Sequence, residues 1–284
     1  MTIRPGELVI DDRNWLEHVE ARVDGNLMGR GYVPRDYTRN PVGSYAGVKP
    51  FDIPLITRNE WSSRIKDRVE SKSTLADLRT IGNYGGHVKS LDQNGQGYCW
   101  AYSTAAAITA CRIRDNQPYV RLSAHAVAAK IKGFKDEGGW NPLSVEFAIK
   151  NGYPDVVSWP EKSMDRKYDT TATWLNAARH KITDGWMDIT PPIYDRNLTF
   201  DQVFTAVLLH IYCPVDYNWQ GHSLCAVDPV EVDSSLPLSD INRWGLRVWN
   251  SWTDNWSALG MGVYRGNKAV PDGATACKGT TQSL

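Results

Sequence analysis

The chain has 284 residues with 32 basic and 32 acidic side chains, long enough for one large domain or two smaller lobes. Balanced charge leaves no electrostatic footprint for nucleic acid or an anionic membrane. The best apolar run, TAVLLHIYCPV, falls short of the ~18 residues that span a bilayer and is interrupted by His210 and Pro214.

The opening segment, MTIRPGELVIDDRNW, has neither a basic n-region nor an apolar h-region, so no secretory signal is expected. The five cysteines (Cys99, Cys111, Cys213, Cys225 and Cys277) form an odd set without a C-x-x-C pair. That argues against a disulfide framework and a cysteine zinc site, and for a cytoplasmic or otherwise reducing location. H-E-x-x-H, phosphate-loop and G-x-S-x-G patterns are absent, so neither metal nor cofactor is expected.

In chain order, residues 1–86 read as an arm followed by short helices. RGYVPRDYTRNPVGSYAGVKPFDIPL is rich in proline and glycine and predicts extended chain. NEWSSRIKDRVESKSTLADLRT predicts one or two short helices from the spacing of Trp61, Ile65, Val69, Leu75 and Leu78. A buried, alanine-rich helix is predicted from Cys99 to near Arg114. Further helices are predicted from Ser123 to Gly133, from a Ser144 cap to Gly152, over TTATWLNAARHKI, and from a Thr199 cap onward. Beyond Pro214 the segments PVDYNW, HSLCAVDPVEV, WGLRVWNSW and MGVYRG read as strands. A helical first half before a strand-rich second half predicts an α+β fold with segregated layers. Residues 267–284 read as a polar tail. Cys111, Cys213 and Cys225 read as core residues and Cys277 as a tail thiol.

Chemistry is concentrated around DQNGQGYCWAYST, where Cys99 sits at the junction of a glycine-rich turn and a helix. A helix N-terminus favours a thiolate, yet a lone thiol needs a base beside it. His222, after the turn NWQG and at the start of a strand, is the candidate base. Asn250, at the end of RVWN, is placed to orient the imidazole. Gln93, six residues before Cys99, is placed to donate to an oxyanion with the Cys99 backbone N–H, and Gln96 is the competing donor.

Together these segments resemble the papain family of cysteine peptidases. QNGQGYCWAYS is similar to that family's Q-G-x-C-G-S-C-W-A-F-S segment, HSLCAV to its histidine segment, NSWTDNW to N-S-W-G-x-x-W, and GVYRG to the stretch after it. LSAHAV and GGWNPLSVEFAIKNGY resemble the intervening helix start and the G-G segment. The order Gln, Cys, His, Asn is the family's, and Cys99 and Asn250 lie 250 − 99 = 151 positions apart, against ~130–150 in papain-like enzymes.

The resemblance implies a two-lobe α+β fold over residues 87–266, with a helical lobe at about 87–165, a β-rich lobe at about 166–266 and a cleft between them. It implies a thiol peptidase whose catalytic groups are Cys99, His222, Asn250 and Gln93, with Cys99 and His222 forming a thiolate–imidazolium pair. Gly138, Gly139, Trp140, Tyr98 and Gly221 are expected at the substrate cleft, with Trp252 and Trp100 as structural support and a peptide or protein as substrate.

Departures qualify it. The family's cysteine three residues before the nucleophile is Gln96, and the serine before the nucleophile is the larger Tyr98, which is expected to narrow the cleft. Thr253 replaces the glycine after Asn-Ser-Trp. The first 80 residues do not match the inhibitory pro-segment of the family. A rival reading therefore makes the fold a binding or structural module of a larger assembly, for example a virus particle. Its contacts would be the N-terminal arm and the polar tail.

Overall fold

The computed structural model describes residues 3–20, 22, 23, 25–80 and 86–279. The first part of the chain forms strands β1 (Val9–Ile10), β2 (Arg22–Val23), β3 (Asn26–Leu27) and β4 (Val48–Pro50) and helices α1 (Arg58–Glu70) and α2 (Leu75–Leu78). Helices α3 (Cys99–Arg114), α4 (Ala124–Ile131), α5 (Asn141–Asn151) and α6 (Thr171–Ala177) follow. Then come β5 (Trp186–Asp188), α7 (Arg196–Leu208), β6 (Cys213–Tyr217), β7 (His222–Glu231), β8 (Trp244–Trp249), β9 (Met261–Arg265) and β10 (Gly273–Cys277). This is the α+β arrangement the sequence predicts.

Eight strands form one mixed sheet in the order β1-β9-β8-β7-β6-β10-β5-β4. The described part of residues 1–86 is therefore no separate arm: β1 pairs in parallel with β9, and β4 in parallel with β5. The segment read as a polar tail likewise enters the sheet, because β10 lies between β6 and β5. Cys277, expected to be a tail thiol, is fully buried with its Sγ 3.6 Å from that of Cys111 on α3. Its small neighbours Gly273, Ala274 and Ala276 let a strand pass through the core, a pattern that composition alone makes look like a loop.

Helix α3 is buried over all but its last residue. Its alanines let β7 and β6 on one side and α4 and α5 on the other approach closely. One apolar cluster joins α3, α4 and α5; a second joins α1 and α7 to the sheet through Trp61, Phe204 and Trp244. Two helix starts differ from the sequence reading. Helix α5 begins at Asn141 with Pro142 in its first turn, while the buried Ser144 hydroxyl bonds the Trp100 carbonyl inside the lobe. Helix α7 is capped by Asp195, whose carboxylate accepts from Leu198 N–H at 3.0 Å, and Thr199 Oγ1 donates to the Thr190 carbonyl. Both serine and threonine look like caps in sequence, but their hydroxyls serve tertiary contacts.

Candidate active site

Cys99 opens α3 and His222 opens β7, and α3 packs against β7. His222 Nε2 lies 2.9 Å from Asn250 Oδ1, and Asn250 is held by β8 ending just before it. The same oxygen accepts from Ser251 N–H at 2.8 Å. An acceptor on Nε2 fixes the proton there and leaves Nδ1, which has no hydrogen-bond partner, free as the basic nitrogen. The indole of Trp252 stacks on the imidazole, with centroids 4.2 Å apart and planes 23° from parallel. Ser223, the residue after His222, donates its hydroxyl to Asp216 Oδ1.

Gln93 is fixed from both ends. Its Oε1 accepts from Ser251 Oγ at 2.6 Å, and its Nε2 donates at 2.8 Å to the carbonyl of Gly29 and at 2.8 Å to that of Gln96. The competing candidate is otherwise engaged, since the Gln96 side chain contacts His125 Nε2.

The Gly29 contact belongs to a strap across the site. Trp252 Nε1 also donates to the Gly29 carbonyl, at 3.1 Å. Gly31 N–H donates to Gly221 O at 3.4 Å and Tyr32 N–H to the same oxygen at 3.3 Å. Gly139 N–H donates to Gly31 O, and Val33 N–H to Gly139 O, both at 2.8 Å, making a parallel bridge between Tyr32 and Gly139. Glycine is required along this path. A Cβ on Gly29 would fall 2.3 Å from the Gly95 carbonyl carbon, and one on Gly31 2.0 Å from the Gly97 oxygen. Gly139 itself lies against the indole of Trp100, 2.8 Å from where its Cβ would stand.

Burial dominates the electrostatics of this closed arrangement. It pushes the Cys99 thiol up to about 12. It pushes His222 down to about 3, a shift opposed by Asn250 and reinforced by the Arg30 cation of the strap. Both shifts run toward the neutral forms, the opposite direction from the thiolate–imidazolium pair expected from the sequence.

Tyr98 is not at the cleft. Its ring packs edge-on to His125 and its hydroxyl donates to Lys135 O at 2.7 Å, inside the helical lobe. Gly29 and Gly31 of the strap pack against residues 95–97, just before Cys99, and the expected narrowing by Tyr98 does not occur. Trp140 precedes α5 and donates through Nε1 to Tyr45 Oη at 2.6 Å. The sequence marks Ser251 only as part of the N-S-W match, with no role of its own, and does not point to Ser223 or the strap; the pair Gly29 and Gly31 in MGRGYVP is the strap's visible trace.

No cluster of three or more His, Cys, Asp or Glu side chains fit for a metal occurs among the described residues. No helix among them is long and apolar enough to cross a membrane.

A helical lobe bearing the cysteine, a sheet bearing histidine and asparagine, and a groove between them define the fold of the papain-like cysteine peptidases. Comparison with solved structures gives the same answer. Xylellain, a cysteine protease from Xylella fastidiosa, superposes with a TM-score of 0.55 at 17% identity, covering 92% of this chain and 99% of its own. A recombinant stem bromelain precursor gives 0.54 at 16%, covering 89% and 83%. The bromelain protease of Ananas comosus gives 0.50 at 18%, covering 74% and 98%. No family model and no curated protein sequence matches the chain. The chain has the papain-like fold at an identity that speaks for the fold alone.

Proposed function

We propose that the protein is a papain-like cysteine peptidase acting on peptide or amide bonds, held closed by its own residues 29–33. The observation that supports this most directly is the Gly29 carbonyl on Gln93 Nε2, in the same site as the His222–Asn250 pair. A peptide carbonyl already sits where a substrate carbonyl would be polarised.

With the strap displaced, water and substrate reach the site, and His222 Nδ1 takes the Cys99 proton. The thiolate attacks the amide carbonyl, and the oxyanion accepts from Gln93 Nε2 and Cys99 N–H. Imidazolium protonates the departing amine, leaving a thioester that water hydrolyses as His222 takes a proton from it. Asn250 keeps the imidazole in the tautomer this sequence requires.

The test is intact mass after incubation with a peptidyl-epoxide probe. The comparison includes the wild type, Cys99→Ala and a strap-opened variant, Gly29→Ala with Gly31→Ala. A single adduct on the opened variant that Cys99→Ala abolishes supports the reading. No adduct on a folded, opened variant with Cys99 reduced would sink it and favour a binding module.

A further inference from the structure

The turn that leads into α3 is held from behind. Gln93 to Gln96 form a tight reversal with both central residues at positive φ, Asn94 at 51° and Gly95 at 78°. Gln96 N–H closes it on the Gln93 carbonyl at 3.1 Å, and the Gln96 carbonyl accepts from Gln93 Nε2 at 2.8 Å. A side-chain amide carries two N–H hydrogens. One is committed to Gln96 and the amide oxygen to Ser251, so the second points in one direction only. In the closed site that direction is the Gly29 carbonyl. The aim of the amide therefore depends on where the Gln96 peptide stands.

Where the papain family carries a cysteine this turn has Gln96, so it lacks a covalent pin. The Gln96 side chain runs instead into the helical lobe, where Oε1 meets Nε2 of His125, a fully buried residue of α4. An amide oxygen has no proton to give, so Nε2 carries the hydrogen and Nδ1 accepts. The hydroxyl of Tyr102, on α3, bonds that Nδ1. Tyr98 and Tyr102 stand edge-on to the imidazole, with centroids 5.4 and 5.5 Å away, and fix its plane. Burial pushes His125 down to about 4, which keeps the ring uncharged and this donor–acceptor order in force near pH 7. Beside it, Gly97 N–H donates to Asp136 Oδ1 at 2.7 Å.

We propose that His125 is a positioning residue for the oxyanion donor: through Gln96 it fixes the turn that aims the Gln93 amide. This rests on the peptidase reading above. A histidine that served only the core of the helical lobe would, when replaced, lower stability and leave the chemistry of a folded site unchanged.

The experiment uses the full chain carrying Gly29→Ala and Gly31→Ala with two reagents. Acetyl-Leu-Leu-leucinal adds Cys99 to its carbonyl and makes a tetrahedral oxygen for the Gln93 amide to hold. Epoxysuccinyl-Leu-Leu amide alkylates Cys99 without forming a tetrahedral carbonyl adduct. His125→Leu, which keeps bulk but neither nitrogen, should weaken aldehyde binding about tenfold, less than the roughly 10²–10³ lost with an oxyanion donor itself. The epoxide rate should stay the same. His125→Gln, whose amide N–H can stand in for Nε2–H, should restore most of the aldehyde affinity. In a Gln93→Ala background His125→Leu should add nothing, because a positioning residue has no effect once the group it positions is gone. If His125→Leu does not fold, Gln96→Ala removes the same link from a half-buried turn residue and is read the same way. Unchanged aldehyde binding, an equal loss with both reagents, or a loss that persists beside Gln93→Ala would overturn the positioning role and leave the peptidase reading intact. Failure of both reagents on the folded, opened parent, with Cys99 reduced, overturns the peptidase reading and this role together.

Discussion

The side-chain amide of Gln93 donates at 2.8 Å to the carbonyl oxygen of Gly29, 64 residues earlier in the chain. The donor proposed above for a substrate oxyanion is thus occupied from within, and the occupant is held on both flanks. Upstream, β1 pairs with β9 and Glu7 forms a buried ion pair with Arg247. Downstream, Arg35 pairs with buried Asp188 and β4 joins β5. A segment tied at both ends opens by displacement, and a single cut inside it frees its ends without removing either anchor.

Opening by displacement gives the first prediction. Gly31→Ala places a methyl group 2.0 Å from the Gly97 carbonyl oxygen, a contact only backbone movement relieves. Alkylation of Cys99 should become at least about tenfold faster than in the wild type, since 1.4 kcal/mol of weakened closure shifts the open fraction tenfold. Stopped-time mass spectrometry measures this. Equal rates would mean that the strap does not limit access.

The Gln93 side-chain amide is oriented by the Ser251 hydroxyl, and the Gln93 backbone N–H donates to the Ser251 carbonyl. In the opened variant, Gln93→Ala should lower kcat by roughly 10²–10³ with little change in KM, as loss of an oxyanion donor does. Ser251→Ala leaves the amide in place but free to turn, so its effect should be smaller, about tenfold. The ranking of the two substitutions in steady-state kinetics is the check. A larger loss for Ser251→Ala would contradict the arrangement.

Asp188 accepts two bonds from Arg35 and a third from Gly43 N–H at 2.9 Å. Asp188→Ala strands a guanidinium that is almost wholly buried, which typically costs about 3–5 kcal/mol. Urea unfolding should show that loss in its midpoint. Because the pair also anchors the strap, the folded fraction should react with the epoxide probe faster than the wild type. Destabilisation without faster labelling would separate the anchor from the strap.

The segments that build the candidate site were legible in the sequence as local structure: a turn into a helix, a glycine turn into a strand, a strand ending before Asn250. Helix α3 could be placed from its alanines and its flanking turn, and β6 to β9 from short β-branched and aromatic runs. What stayed hidden depends on pairing at a distance. The prolines and glycines of residues 30–55 mark extended chain but not its partner, which for Tyr32 is Gly139. Tyr98 suggested a blocked cleft from its size, whereas the φ of −111° before α3 turns it toward Lys135. The burial that raises the thiol was equally hidden, since it comes from tertiary packing rather than from the helix terminus.

Buried histidines supply the last prediction. Burial pushes His222 down to about 3, and His125 and His210 to about 4. In the unfolded chain each returns to about 6.5, so between pH 6.5 and about 4 the unfolded state holds more protons and stability falls as pH falls. Asp216 works the other way: raised by burial to about 8, it is protonated when folded and ionised when unfolded across that window. His18 and His180, also lowered by burial, add to the histidines, and Asp201 and Asp272, also raised by burial, add to Asp216; the histidines outnumber the raised carboxyls, so the expected sign is a loss of stability toward low pH. Urea midpoints at half-unit steps from pH 4 to 7 measure the slope. Gly31→Ala, by admitting water to His222, should remove about one proton's share of it, and an unchanged slope in that variant would show that the strap is not what keeps His222 neutral.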